Sequence, residues 1–168
     1  MYHTRVVDRV QDHAVQRPAP EPELDAALGM VQLSGLVQAA FAHVAEHHRL
    51  SPLQGRLLCV LAEAPRGMAE LARVFNVEKA TITGLVDRAE RRGLVERAPV
   101  PGDRRAVSVI LTRDGVRSAA DFHAEVTSQL ERLLAPLTPE DREHFRSAMA
   151  TIARSAGLAA SWGGCRTC

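Results

Sequence analysis

ELARVFNVEKATITGLVDRAERRGLVER, residues 70–97, decides how the rest of this chain is read. Leu71, Ala72 and Phe75 recur at helical spacing, and Ile82, Leu85, Val86 and Ala89 do so again a few residues later. Only Asn76 and Val77 separate the two runs. Asn tolerates the left-handed conformation that ends a helix, so Asn76 predicts a sharp stop. Gly93 predicts the end of the second helix. Two short helices joined by so tight a turn form a helix-turn-helix.

The flanking sequence extends the motif on both sides. Upstream, Ser51, Pro52 and Gln54 combine an N-cap, a proline at the first helical position and a capping box. They start a helix that runs to about Ala64, where Pro65 stops it. Met68 to Phe75 is the next helix. Downstream, Leu94–Ala98 and Val107–Leu111 read as strands, with residues 99–106 as the turn between them. Pro99 has no amide donor, so the first strand must lie at an edge or stop there. A hairpin directly after a helix-turn-helix is a wing, and Asp103, Arg104 and Arg105 fall at its tip.

Long helices enclose this unit. Leu24 to His48 carries apolar residues at steps of three and four, more than a helix packed on one side needs. Thr112 caps a helix over 113–134, and Thr138-Pro139 starts another over 139–158. Residues 4–16 allow a short helix, and RPAPEPE at 17–23 reads as a linker. The predicted fold is mainly α with a small β-hairpin wing. Residues 51–112 form the winged helix-turn-helix domain, 24–50 and 113–158 a helical dimerisation region, 1–23 an extension and 159–168 a tail.

Composition sets wider bounds. Of 168 residues, 46% are apolar and 24% charged, with a formal net charge of +1. Global charge therefore does not announce a nucleic-acid partner, but its distribution is uneven. Residues 66–106 hold nine basic and six acidic side chains, and residues 1–65 hold five and seven. Cysteines at 59, 165 and 168 and a polar N-terminus favour a reducing, cytoplasmic setting. The longest apolar region, 28–45, is broken by Gln32, Ser34, Gln38 and His43 and reads as too short and polar to span a bilayer. No nucleophile elbow, phosphate loop or HExxH sequence occurs, so an enzyme is not expected, nor is a cofactor.

The stretch 81–97, the preceding ELARVFNV and the pattern Asp103-x-Arg105, then Val109-x-Leu111-Thr112-x-x-Gly115, together resemble the MarR-type winged helix-turn-helix regulators. The resemblance covers roughly residues 28–156. It implies a homodimer that binds a palindromic DNA operator through a recognition helix and a wing, commonly as a repressor that answers to a small ligand. Two positions depart from the pattern: Gly67 stands where a capping Ser or Thr is usual, and Ala80 where a Ser is.

The residues give this reading its chemistry. Lys79, Thr81, Thr83 and Arg88 fall opposite or beside the apolar stripe of the second helix, where a major groove would meet them. They would otherwise be a solvated helix face. Resemblance assigns Arg105 to the minor groove, with Asp103 holding it extended and Arg104 on phosphate. The plainer alternative is a turn stabilised by a surface ion pair. For the effector, His43, His47 and Arg56 would suit an aromatic or phenolic acid, or would simply be a solvated helix end. The spacing of His43 and His47 also allows a metal sensor, with Glu46, His123 or His144 as further ligands, although nothing in the sequence places these nearby. Cys59 reads as an inert core thiol, with peroxide sensing as the alternative, and Cys165-Arg166-Thr167-Cys168 is too weak a signal for a zinc site but leaves redox reactivity open, so a metal- or redox-responsive regulator of the same fold is the alternative reading. A winged scaffold that binds protein in place of DNA is the alternative from another class.

Overall fold

The computed structural model describes residues 25–100 and 102–157, apart from the side chains of residues 103–105. The readings made for 1–23 and 159–168 lie outside the described residues. The elements run α1 (Ala26–His47), α2 (Pro52–Glu63), β1 (Arg66–Gly67), α3 (Met68–Phe75), α4 (Lys79–Arg91), β2 (Val95–Val100), β3 (Asp103–Leu111), α5 (Arg113–Leu133) and α6 (Pro139–Ser155).

Local signals set most of these boundaries. Ser51 Oγ accepts from the Gln54 amide at 3.2 Å, and Gln54 Oε1 accepts from the Ser51 amide at 2.9 Å, so the capping box is complete. Asn76 sits at φ 52°, ψ 48° and turns the chain between α3 and α4. Gly67 precedes α3 without a side-chain cap bond.

The Leu-Thr-x-x-Gly sequence at 111–115 is a clasp. Thr112 Oγ1 accepts from the Gly115 amide at 3.0 Å and donates to the Gly93 carbonyl at 2.6 Å. The Thr112 amide donates to the Leu94 carbonyl at 3.1 Å. A Cβ on Gly115 would overlap that same carbonyl oxygen, so only glycine lets α5 start this close to the end of α4.

Two features differ from the sequence reading. The sheet has three strands, in the order β1-β3-β2, all antiparallel. β1 is two residues long, too short to show alternation, and exists because Arg66 and Gly67 pair with Val109 and Ser108. The hairpin is also longer than expected. Pro99 lies opposite Val107 on the edge strand β2, and a register shift follows it before Val100 pairs with Asp103. An edge strand tolerates Pro99, so β2 continues to Val100 and β3 already begins at Asp103, directly after Gly102 at φ +87°. Asp103, Arg104 and Arg105 therefore open β3 rather than occupying a loop.

The core lies where α2, α4, the sheet and the first half of α5 meet. Leu57, Leu58, Leu71, Ile82, Val86, Val109 and Phe122 are fully buried there. Phe122 joins the outer helices to this core: its ring is edge-on to Phe41 at 5.0 Å, and a Cβ on Gly55 would come within 2.5 Å of it. Away from this junction the long helices bury little. α6 has no buried residue. α1 has 22 residues and a mean hydropathy of 1.3, with 11% of its most apolar window buried. By length and composition it could cross a membrane, contrary to the sequence reading, because its polar interruptions are uncharged.

Candidate nucleic-acid interface

Helix α4 is amphipathic in a way that leaves one face free. Ile82, Leu85, Val86 and Ala89 are buried against the core. Lys79, Thr81 and Arg88 are exposed, and Thr83 is half-buried beside them. Thr81, Gly84 and Arg88 follow at steps of three and four, so they share a face. The guanidinium of Arg88 folds back over Gly84, where Nη1 would lie 3.3 Å from an added Cβ. A glycine inside a helix costs about 1 kcal/mol relative to alanine. Here it leaves room for the Arg88 guanidinium to lie over the helix.

Thr83 has part of its hydrogen-bonding capacity committed within the helix. Its hydroxyl donates to the Lys79 carbonyl at 2.8 Å, so its proton is already engaged. What remains available is a lone pair and the methyl group, an acceptor and an apolar contact rather than a donor to phosphate.

The acidic neighbours of Arg88 are occupied elsewhere. Arg97, on β2, donates to Asp87 at 2.6 Å and also bonds Glu90. The hydrogen bond to Asp87, with the charge of Glu90, holds the Arg97 guanidinium still more firmly protonated than usual. No carboxylate among the described residues is within ion-pair distance of Arg88 or Lys79. Arg97 thus removes two negative charges from the exposed face of α4 and fixes β2 against it. Sequence reading did not single out Arg97; its position thirteen residues after Gly84 gives no sign that strand and helix meet there.

The wing residues Asp103, Arg104 and Arg105 stand at the start of β3, directly after Gly102. Their side chains lie outside the described residues, including any Asp103–Arg105 pair.

The residues considered for an effector do not form one group. Arg56 lines a cleft of about 190 Å³ together with Phe41, Cys59, Val60, Glu63, Arg66 and Val74. Its Nη2 donates to the Val74 carbonyl at 3.0 Å, and its guanidinium lies 4.8 Å from the Phe75 ring centre. Cys59 is half-buried in the wall of this cleft rather than sealed in the core. His43 and His47 do not line it. His43 is exposed, whereas His47 and His48 both meet Glu125 of α5 at 2.9 Å. Hydrogen bonding from His47, then from His48, holds the Glu125 carboxyl below its ordinary range.

Known proteins share this fold. The model of the MarR family matches residues 49–106. PecS, an HTH-type transcriptional regulator of Dickeya dadantii, is 26% identical over 155 residues, spanning 89% of this chain and 93% of PecS. NicR, an HTH-type transcriptional repressor of Pseudomonas putida, is 42% identical over 78 residues, 46% of this chain and 49% of NicR. The transcriptional repressor CouR bound to a 23-mer DNA duplex superposes with a TM-score of 0.64 at 27% identity, covering 77% of this chain and 92% of CouR. CouR from Rhodococcus jostii RHA1 has also been solved with p-coumaroyl-CoA, at 24% identity and a TM-score of 0.61, over 77% of this chain and 91% of CouR. An exposed helix face with its neighbouring acids paired elsewhere, a hairpin beside it and relatives that regulate transcription converge on one assignment: this chain has the winged-helix fold of the MarR-type, DNA-binding transcriptional regulators, whose family model it matches over residues 49–106.

Proposed function

We propose that the protein is a cytoplasmic homodimeric repressor that binds a palindromic operator and is released by a small aromatic or phenolic acid. The observation that carries the DNA part is the exposed face of α4, where Lys79, Thr81 and Arg88 stand out from the core and Arg97 takes both Asp87 and Glu90, the acids beside Arg88. Thr81 and Thr83 meet base edges or thymine methyls, Lys79 and Arg88 the phosphates or a guanine, Arg104 a phosphate and Arg105 the minor groove, with Asp103 supporting it. The duplex-bound form of CouR supports this use of the fold.

Dimerisation follows from apolar surface that one chain does not cover. Leu28, Val31 and Leu36 of α1 and Met149 and Ile152 of α6 are exposed. A patch of this kind marks an interface in a protein of this size. Residues 24–50 and 113–158 form that interface, and 51–112 read DNA. Two copies then present recognition helices to half-sites about one helical turn apart.

The effector reading rests on the Arg56 cleft, which replaces the set that included His43 and His47. A single aromatic ring fits its volume, and Arg56 offers the partner for a carboxylate. Arg66, which also lines the cleft, is paired by Glu63 at 3.5 Å and by Glu70.

A gel-shift assay with DNA flanking the protein's own coding region tests the proposal. Salt-sensitive binding that resists random competitor DNA, and is reversed by hydroxybenzoates in the wild type but not in Arg56→Ala, is expected. Binding that any competitor abolishes equally would leave only the scaffold reading.

A further inference from the structure

Two imidazoles converge on one carboxylate where α1 meets α5. His47 Nδ1 lies 2.9 Å from both oxygens of Glu125, and His48 Nε2 lies 2.9 Å from Oε2. The three donor groups come within 4.8 Å of one another. One N–H would suffice to tie α1 to that carboxylate, so bringing two consecutive histidines to it orders more side chain than that link requires.

The cluster is also held from behind. The His48 ring is edge-on to Phe122 at 5.8 Å and to His47 at 5.4 Å. Phe122 is fully buried one helical turn before Glu125, so it anchors the part of α5 from which the carboxylate reaches. His47 is the last residue of α1 and His48 its C-cap, so both rings leave the end of the helix, which frees them to face the same point.

We propose that His47, His48 and Glu125 form a site for a divalent transition-metal ion, zinc or a neighbour of similar softness, and that the bound ion ties the end of α1 to α5. Two imidazole nitrogens and one carboxylate oxygen suit such an ion, whereas calcium and magnesium prefer all-oxygen shells. Ligand bonds of about 2.0–2.2 Å set the edges of a tetrahedron at roughly 3.3–3.6 Å. The donors would need to spread by about 0.4–0.7 Å from their 2.9 Å contacts with Glu125, and the two imidazole nitrogens, within 4.8 Å of each other, to draw together toward the same edge length. On binding, the lone pairs of His47 Nδ1 and His48 Nε2 face the ion, and each ring keeps its proton on the other nitrogen. Three protein ligands leave a fourth position for water. The pair four residues apart, His43 and His47, is not the chelating unit, since His43 is not in the cluster.

The clasp would have consequences for regulation, which rest on the DNA-binding reading. α1 carries the apolar face assigned to the dimer, and α5 leads directly out of the wing. Fixing the two together fixes how the recognition helices are spaced.

The test of the site itself uses no DNA. Chelator-stripped full-length protein is titrated with Zn(II) in competition with a chromophoric chelator. One equivalent per chain is expected, with affinity reduced tenfold or more in His47→Ala and in Glu125→Gln. His47 is largely exposed, so its substitution should leave the thermal melt unchanged. Cobalt(II) should give d–d bands without sulfur-to-metal charge transfer, and the same affinity in the Cys165→Ser/Cys168→Ser protein. Absence of stoichiometric binding, or wild-type affinity in both site variants, would overturn the site; loss of binding in the cysteine variant would move it to the tail. In operator binding, zinc should shift affinity in the wild type and not in His47→Ala. Zinc bound with no such shift would overturn the clasp.

Discussion

Leu57, Leu58, Leu71, Ile82 and Val86 in the winged half are completely buried, whereas Leu28, Val31 and Leu36 on α1 remain 51%, 68% and 52% exposed. Both regions use the same aliphatic side chains at the same helical spacing. In the winged half, helices less than four turns long close over a three-stranded sheet and shield one another. In α1 and α6 the stripe runs past the end of anything that could cover it. Periodicity reports that a face is apolar; it does not report whether the cover comes from the same chain.

The sharpest way to break this contrast is at the residue that joins the two regions. Phe122→Ala should cost about 3–5 kcal/mol in urea unfolding, since it removes a fully buried ring packed on Phe41, His48 and Gly55. A loss below about 1 kcal/mol would mean that the long helices are not seated on the core as described.

Val31→Asp with Leu36→Asp should separate the regions in another way. Sedimentation equilibrium should show monomer at micromolar concentration, and operator affinity should fall by more than tenfold. A variant that stays dimeric would move the interface off α1.

Arg105→Ala should weaken operator binding by about 1–3 kcal/mol with the thermal midpoint unchanged. Undiminished affinity in a folded variant would remove the wing from the contact.

Arg97→Ala should lower stability by under about 1 kcal/mol, as expected of partly exposed ion pairs. Its effect on DNA affinity should be larger, because Asp87 and Glu90 would then face the duplex unneutralised. Equal effects would reduce Arg97 to a structural role. Thr83→Ala should be the mildest change, altering preference among operator variants more than overall affinity, as its hydroxyl proton is held by Lys79.

The local chemistry of this chain was legible residue by residue. Ser51-Pro52-Gln54, Asn76, Gly93 and Thr112 each stop or start a helix through bonds made within a few residues, and each does so in the structure. The candidate site was legible only in part. Exposure of Lys79, Thr81 and Arg88 follows from the period of α4 alone. The clearing of their acidic neighbours by Arg97 does not, nor does the removal of His47 from the Arg56 cleft.

What the sequence settled by itself is therefore the set of helices, their order and their faces, because capping and helical spacing act over a turn or two of chain. Tertiary structure alone decided that two residues, Arg66 and Gly67, would become a strand by lying against Val109 and Ser108, and that the hairpin would stay paired as far as Val100 and Asp103. It also brought His47 and His48 to a carboxylate 78 and 77 residues away. Such meetings depend on how packed elements register against one another, and no short stretch of sequence encodes that distance.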